Sequence, residues 1–418
     1  MHRALPLFLA LLPAPIAAAG TAATPAAVVE TYADIAEATF ADSLAAARDL
    51  QTAVDALLAA PAAETLAQAR AAWVAARIPY QQSEVFRFGN PAVDDWEGRV
   101  NAWPLDEGLI DYVATPPDAA NPLATLNVIA TPRFTLSGTA VDATRITPAL
   151  IADTLHEAGG SEANVASGYH AIEFLLWGQD LNGTRAGAGD RPHTDYLQTA
   201  ACTHGHCDRR AAYLSAATRL LVADLAEMAA QWSATGAARR ALTTAPEAAL
   251  GAMVTGMGSL SYGELAGERM KLGLMLNDPE EEQDCFSDTT ANSHYFNGLG
   301  VQNVYLGRYL RRDGTTLSGP ALADLVAAAD PATDSRLRAE LDASLSALDA
   351  LRLSAASGVA YDQLLAPDNA DGAALIRSAI GALVTQTDTL ARAAGALGLD
   401  RIAFEGSDSL DTPDAVFQ

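Results

Sequence analysis

Gly168-Tyr169-His170-Ala171-Ile172-Glu173-Phe174-Leu175-Leu176-Trp177-Gly178 sets one imidazole and one carboxylate in an otherwise apolar run. His170 and Glu173 are three residues apart, so a helix places both on one face. Burying either group without a partner costs several kcal/mol, roughly, on desolvation scales. A partner is therefore expected, and it is either a metal ion or the other member of the pair. Spacing alone does not choose between them. A zincin carries His-Glu-x-x-His, whereas the residue four beyond His170 is Phe174.

The composition around this stretch favours helices. Half of the residues are hydrophobic, aromatics make up 6%, and alanine dominates many segments; alanine loses no side-chain entropy on entering a helix. Apolar residues recur at three-to-four spacing from Val28 to Leu58 and again from Leu66 to Ile78, where Pro79 predicts a boundary or kink. Residues 89–112 read as an irregular, acid- and tryptophan-bearing loop, and 113–144 as a long polar loop. Beyond residue 235 the order of helix, polar loop and helix returns. Ser357 to Leu365 echoes Ser167 to Leu176, one residue shorter and without the His/Glu pair.

A chain of 418 residues is too long for one ordinary core. The reading is all-α: a duplicated pair of helical bundles with long polar loops at the domain interface. Residues 21–235 form the first half, 236–410 the second, and 411–418 an acidic tail, frayed from about Glu405 onward.

The charge excludes one class of partner. There are 26 basic and 51 acidic residues, a net charge of -25; nucleic acid requires the opposite sign. At the N-terminus Met1-His2-Arg3 precedes an apolar run from Leu5 to Ile16 and small residues at Ala17-Ala18-Ala19-Gly20. This reads as a signal peptide over residues 1–20, cleaved near Ala19-Gly20, with a periplasmic or secreted product. No lipobox cysteine follows it, and no later run is long enough to span a membrane. In an oxidising compartment Cys202 and Cys207 read as a local disulfide. The alternative is a small metal site with His204 and His206. Cys285 remains as a free thiol.

Several strings, in this order, resemble the imelysin-like proteins, also described as insulin-cleaving metalloproteinases and iron-regulated proteins. They are Ser83 to Pro91, Trp96 to Pro104, Gly168 to Glu173, Glu264 to Met270, Cys285 to Asp288 and Val304 to Tyr309. The resemblance implies a duplicated helical fold with an interface cleft, an envelope location, a link to iron supply, and a Gly-x-His-x-x-Glu signature proposed as a metal site. Here that signature is Gly168, His170 and Glu173. Related proteins often carry histidine where this chain has Gln283.

Three functions follow as expectations. The first is a metal-binding protein of iron uptake. His170 and Glu173 would be its ligands, Glu84, Asp106 or Glu268 would add oxygens, and other envelope components would be partners. This mixed nitrogen and oxygen set suits iron, zinc or manganese without choosing among them. The second is a zinc peptidase in which Glu173 activates water and His156, His193 or His294 supplies a further ligand. The third is a peptide- or partner-binding protein with a structural His/Glu pair. Arg87 and Arg269 would pair with the acids or bind an anion. Cys285, Asp288 and His294 are further cleft candidates.

Overall fold

The computed structural model describes residues 23–114, 121–399 and 402–417. The signal-peptide reading of residues 1–20 lies outside them. The described chain is predominantly helical. Helix α1, Pro25–Ala59, packs along α2, Ala63–Ser83, and along α5, Cys207–Trp232. Between them lie α3, Pro91–Asn101, and α4, Gly168–Trp177. Later come α6, Pro246–Ser259, α7, Thr290–Leu306, α8, Pro331–Ala356, and α9, Ala370–Ala396. Two small antiparallel hairpins, Arg133–Leu136 with Thr139–Asp142 and Arg308–Leu310 with Thr316–Ser318, complete the elements that matter here.

Thr24 caps α1 by accepting from the Ala27 N–H, and Pro25 supplies a preset φ at the first helical position. The apolar face of α1 is closed by aromatic edges: Tyr32, Phe40, Phe86 and Trp232 meet at centroid distances of 4.9 to 6.2 Å. Such contacts add to simple area burial. The larger apolar core draws on α1 through α9. A smaller one gathers around Leu265, Leu348, Tyr361 and Ile376.

Three local expectations need correction. Helix α2 runs through Pro79 to Ser83, because Tyr80, Gln81, Gln82 and Ser83 are all buried and their packing offsets the lost backbone bond. The stretch expected to be irregular contains α3, which begins with Pro91 at its first position. The C-terminal tail is docked, not frayed. The Ser409 hydroxyl donates to Gly267 O, Tyr262 donates to Asp411, and Ser407 and Ser409 are buried.

The segment Leu260–Leu272, which continues α6, is π-helical. Its i→i+5 winding brings residues five apart onto one face. Gly258, near the end of α6, and Gly263 and Gly267 on this segment leave a track along one side. A β-carbon at these positions would run into Phe404, Glu405 and Ser407 respectively, so the tail lies where side chains are missing.

Candidate metal centre

Helix α4 is the buried axis of the site: every residue from Gly168 to Trp177 is buried. Its position is fixed by bonds to its backbone. Trp73 Nε1 donates to Tyr169 O at 2.9 Å, Arg70 Nε donates to Leu176 O at 3.1 Å, and the Tyr196 hydroxyl donates to Leu175 O. Gly168 is required at its start. Its φ is +80°, and a β-carbon there would overlap the Val100 carbonyl at the end of α3. The glycine of the signature therefore sets how closely α3 and α4 approach.

His170 Nδ1 lies 2.8 Å from Glu173 Oε2 and 3.9 Å from Asp284 Oδ1. One ligand atom from each of the three residues lies within 4.8 Å of the others, and all three side chains are at most 1% exposed. The carboxylates are held in place from behind. Glu173 Oε1 accepts from the Ser287 N–H at 3.0 Å and the Ser287 hydroxyl at 2.7 Å, and Asp284 accepts from the Ser293 hydroxyl. Arg77 Nη2 donates to Asp284 Oδ1 at 2.8 Å, and the same guanidinium faces the rings of Trp73, Tyr80 and Tyr169.

Burial, then the Asp284 charge, push the Glu173 carboxyl far above its usual range. Burial, then Arg77 and Arg269, push His170 well down. Both shifts favour the neutral forms. His170 Nε2 is buried with no hydrogen-bond partner, so the hydrogen bond to Glu173 does not exhaust the site's polar valence. One nitrogen and two oxygens at these separations fit a transition-metal ion with bonds of about 2.0–2.2 Å.

A second layer is built on the π-helical segment. Arg269 donates through Nη2 to Glu84 Oε2 at 2.7 Å and through Nε to Glu264 Oε1 at 2.9 Å; its Nη1 donates to Asn297 Oδ1 at 3.0 Å. Glu264 and Arg269 are five apart, the spacing that π winding aligns. Arg87 lies 3.6 Å from Glu97 and 3.7 Å from Glu264. These groups border an open cavity of about 410 Å³ lined by Arg87, Glu97, Asn101, Trp103, Glu157 and Glu264, among others. Asn101 links it inward by accepting from Arg77 Nη1 at 2.5 Å.

Of the residues expected from sequence, His170 and Glu173 meet. Glu84 lies in the network but is committed to Arg269. Asp106 is elsewhere: it accepts from Asn121 and ties down its own loop through its N–H to Ala163 O at 2.9 Å. Glu268 is only half-buried and outside the ligand group, because the winding turns Arg269 inward instead. His156 contacts Ser167, and His193 opens a short turn after Pro192. His294 is buried edge-on to Tyr361 at 5.0 Å, with both ring nitrogens unpartnered, and burial and then Arg269 push it down to about 3. Among the described residues none of these three joins His170's group. Arg87 and Arg269 are ion-paired to acids. Cys285 is a free, half-buried thiol, and Cys202 and Cys207 form the expected disulfide, leaving His204 to Asp195 at 2.7 Å.

Asp284 and Arg77 were missed. Asp284 stood in a loop of like residues with nothing to single it out, and Arg77 lay in an amphipathic helix. The Gln283 side chain, next to Asp284, accepts from Arg269 and Gln81, both at 3.3 Å, and its amide nitrogen has no partner.

Comparison with known proteins agrees with this architecture. A crystal structure described as a putative iron-regulated protein A precursor from Parabacteroides distasonis superposes with a TM-score of 0.64 at 19% identity, over 91% of this chain and 97% of that one. An imelysin-like protein from Psychrobacter arcticum gives 0.57 at 13% identity, over 92% and 99%. In sequence, the chain is 37% identical to Iron-regulated protein A of Synechococcus elongatus over 73 residues, which are 17% of this chain and only 20% of that protein. The family model described as Imelysin matches residues 36–390. That match takes in most of the chain and every group of the buried site, and the chain belongs to the imelysin family.

Proposed function

We propose that this is an exported metal-binding protein of iron uptake, holding its ion at His170, Glu173 and Asp284. The observation that carries the reading is the convergence of one buried imidazole nitrogen and two buried carboxylate oxygens from two distant segments. The names of the Synechococcus and Parabacteroides proteins add the link to iron. Two carboxylates beside the Arg77 guanidinium carry one net negative charge when ionised, which suits a divalent ion better than a trivalent one. Ser287 and Ser293 would orient the carboxylates, a role that outer-shell hydrogen bonds play in metal sites generally. The acid-lined cavity beside Asn101 would gather cations at the surface.

Export rests on the N-terminal signal reading and on the disulfide, which belongs to oxidising compartments. Among the described residues no helix is long and apolar enough to cross a membrane. Other iron-uptake components of the envelope are the proposed partners. With Glu173 activating water, the peptidase reading keeps only His170 and Asp284 as ligands, one short of the usual three for catalytic zinc. It also loses on access: the ligands are closed to solvent, and both Glu173 oxygens are already engaged.

Elemental analysis of protein purified without chelators, beside a His170→Ala, Glu173→Ala variant, is the test. Near-stoichiometric iron, manganese or zinc in the wild type, lost in the variant while its helical circular dichroism survives, is the expected result. No metal in either, even after incubation with ferrous and zinc ions, overturns the proposal and leaves a structural pair. Hydrolysis of a peptide substrate by the loaded protein would return the peptidase reading.

A further inference from the structure

A second group of acids lies apart from His170 and plays no part in the reading above. Asp180 follows α4, Asp288 closes the acidic loop, and Asp362 sits in the short helix Tyr361–Leu365. One carboxylate oxygen from each lies within 4.8 Å of the other two. Acids gather on many surfaces without consequence, but this group has a buried side. Asp362 is 0% exposed, and neither of its oxygens has a hydrogen-bond partner. Buried acids in this condition cost far more than paired ones.

No arginine, lysine or histidine is within ion-pairing distance of these three acids among the described residues. Their one notable partner is Asn182, whose N–H and side-chain amide both donate to Asp180 at 2.8 Å. Asp288 holds a left-handed backbone, φ 55°, a strained conformation for a non-glycine residue.

We propose that Asp180, Asp288 and Asp362 form a second cation site, all-oxygen and selective for a hard divalent ion, with calcium the best fit. Nitrogen and sulfur are missing from the donor set, which disfavours zinc, copper and iron. The three carboxylates come from three separate segments in irregular array. Calcium accepts irregular arrays of six to eight oxygens, whereas magnesium demands near-octahedral order and keeps its waters. The ion would join the loop after α4 to the acidic loop and to the Tyr361 helix.

The test is calcium titration of the full chain by calorimetry after chelator treatment, with magnesium and manganese run in parallel. The wild type and the His170→Ala, Glu173→Ala variant are both expected to take up one calcium ion and to gain thermal stability from it. That pair of results makes the site independent of the function proposed above. An Asp288→Asn, Asp362→Asn variant is expected to lose at least tenfold in affinity. Terbium luminescence of the unaltered protein, sensitised by Tyr361 and displaced by calcium, decides the matter where that variant fails to fold. No uptake of the three ions at millimolar concentration, uptake unchanged in the Asp288→Asn, Asp362→Asn variant, or no calcium-displaceable terbium emission would overturn the proposal.

Discussion

At Arg269 a single side chain neutralises two acids. It is fully buried and bonded to Glu84 and Glu264. Removing one partner of a buried pair leaves an uncompensated charge, at a cost of about 3–5 kcal/mol. Arg269→Ala is expected to destabilise by that order in urea, and Arg269→Lys to recover only part of it, because lysine cannot reproduce the fork. Glu97 gives a pH signature. Burial, then the Glu84 charge, push its carboxyl up to about 7, against about 4.3 in the unfolded chain. Between these values the folded state keeps a proton that the unfolded state has released. The group's contribution is therefore complete below about pH 4 and falls as pH rises through 7. Glu97→Gln should give a flatter stability profile from pH 5 to 8 than the wild type; parallel profiles would show that Arg87 already cancels the effect. His170 and Glu173 were legible in the sequence because a charged pair in an apolar helix is conspicuous. Asp284 was not, since an acid among acids gives no pattern, and only the fold brings it 3.9 Å from His170.

Among the elements, the junction of α3 with α4 is the most exacting. Gly168→Ala places a β-carbon against the Val100 carbonyl in a left-handed backbone, and a cost of at least about 1–3 kcal/mol is expected. Chemical denaturation measures it, and a neutral result would mean that α3 can slide. Helical content and most helix positions could be read from three-to-four periodicity. The π winding of Leu260–Leu272 could not, since the same residues satisfy an α pattern and the extra residue per turn is imposed by packing. That is why Glu268 looked like a ligand and Arg269 an accessory. Pro91 at the head of α3 was a readable signal that the surrounding turn residues and acids obscured.

Taken whole, the molecule is closed from its C-terminal end. The tail fills the track left by Gly258, Gly263 and Gly267 and is anchored by Glu405 N–H donating to Ser259 Oγ at 3.0 Å and by Ser409 to Gly267 O. Deleting residues 402–418 uncovers this face. A thermal midpoint lower by roughly 2–5 °C is expected, with earlier tryptic cleavage around Arg269 and Lys271; an unchanged midpoint would mean that the tail only rests on the surface. This docking was not legible beforehand, because acidic and small residues at a chain end fit solvent equally well.

The site's long-range connections also bear on the order of assembly. Ser287 reaches Glu173 across 114 residues of chain, and Arg77 reaches Asp284 across 207. Closing loops of this size costs entropy before any contact returns it, so such contacts form late. Early in folding, His170 and Glu173 would stand without Asp284, so an ion held at the proposed site would engage only in the finished molecule. A ligand engaged after the rate-limiting barrier slows unfolding and leaves refolding unchanged. Stopped-flow chevrons with and without the ion should share one refolding limb and differ in the other.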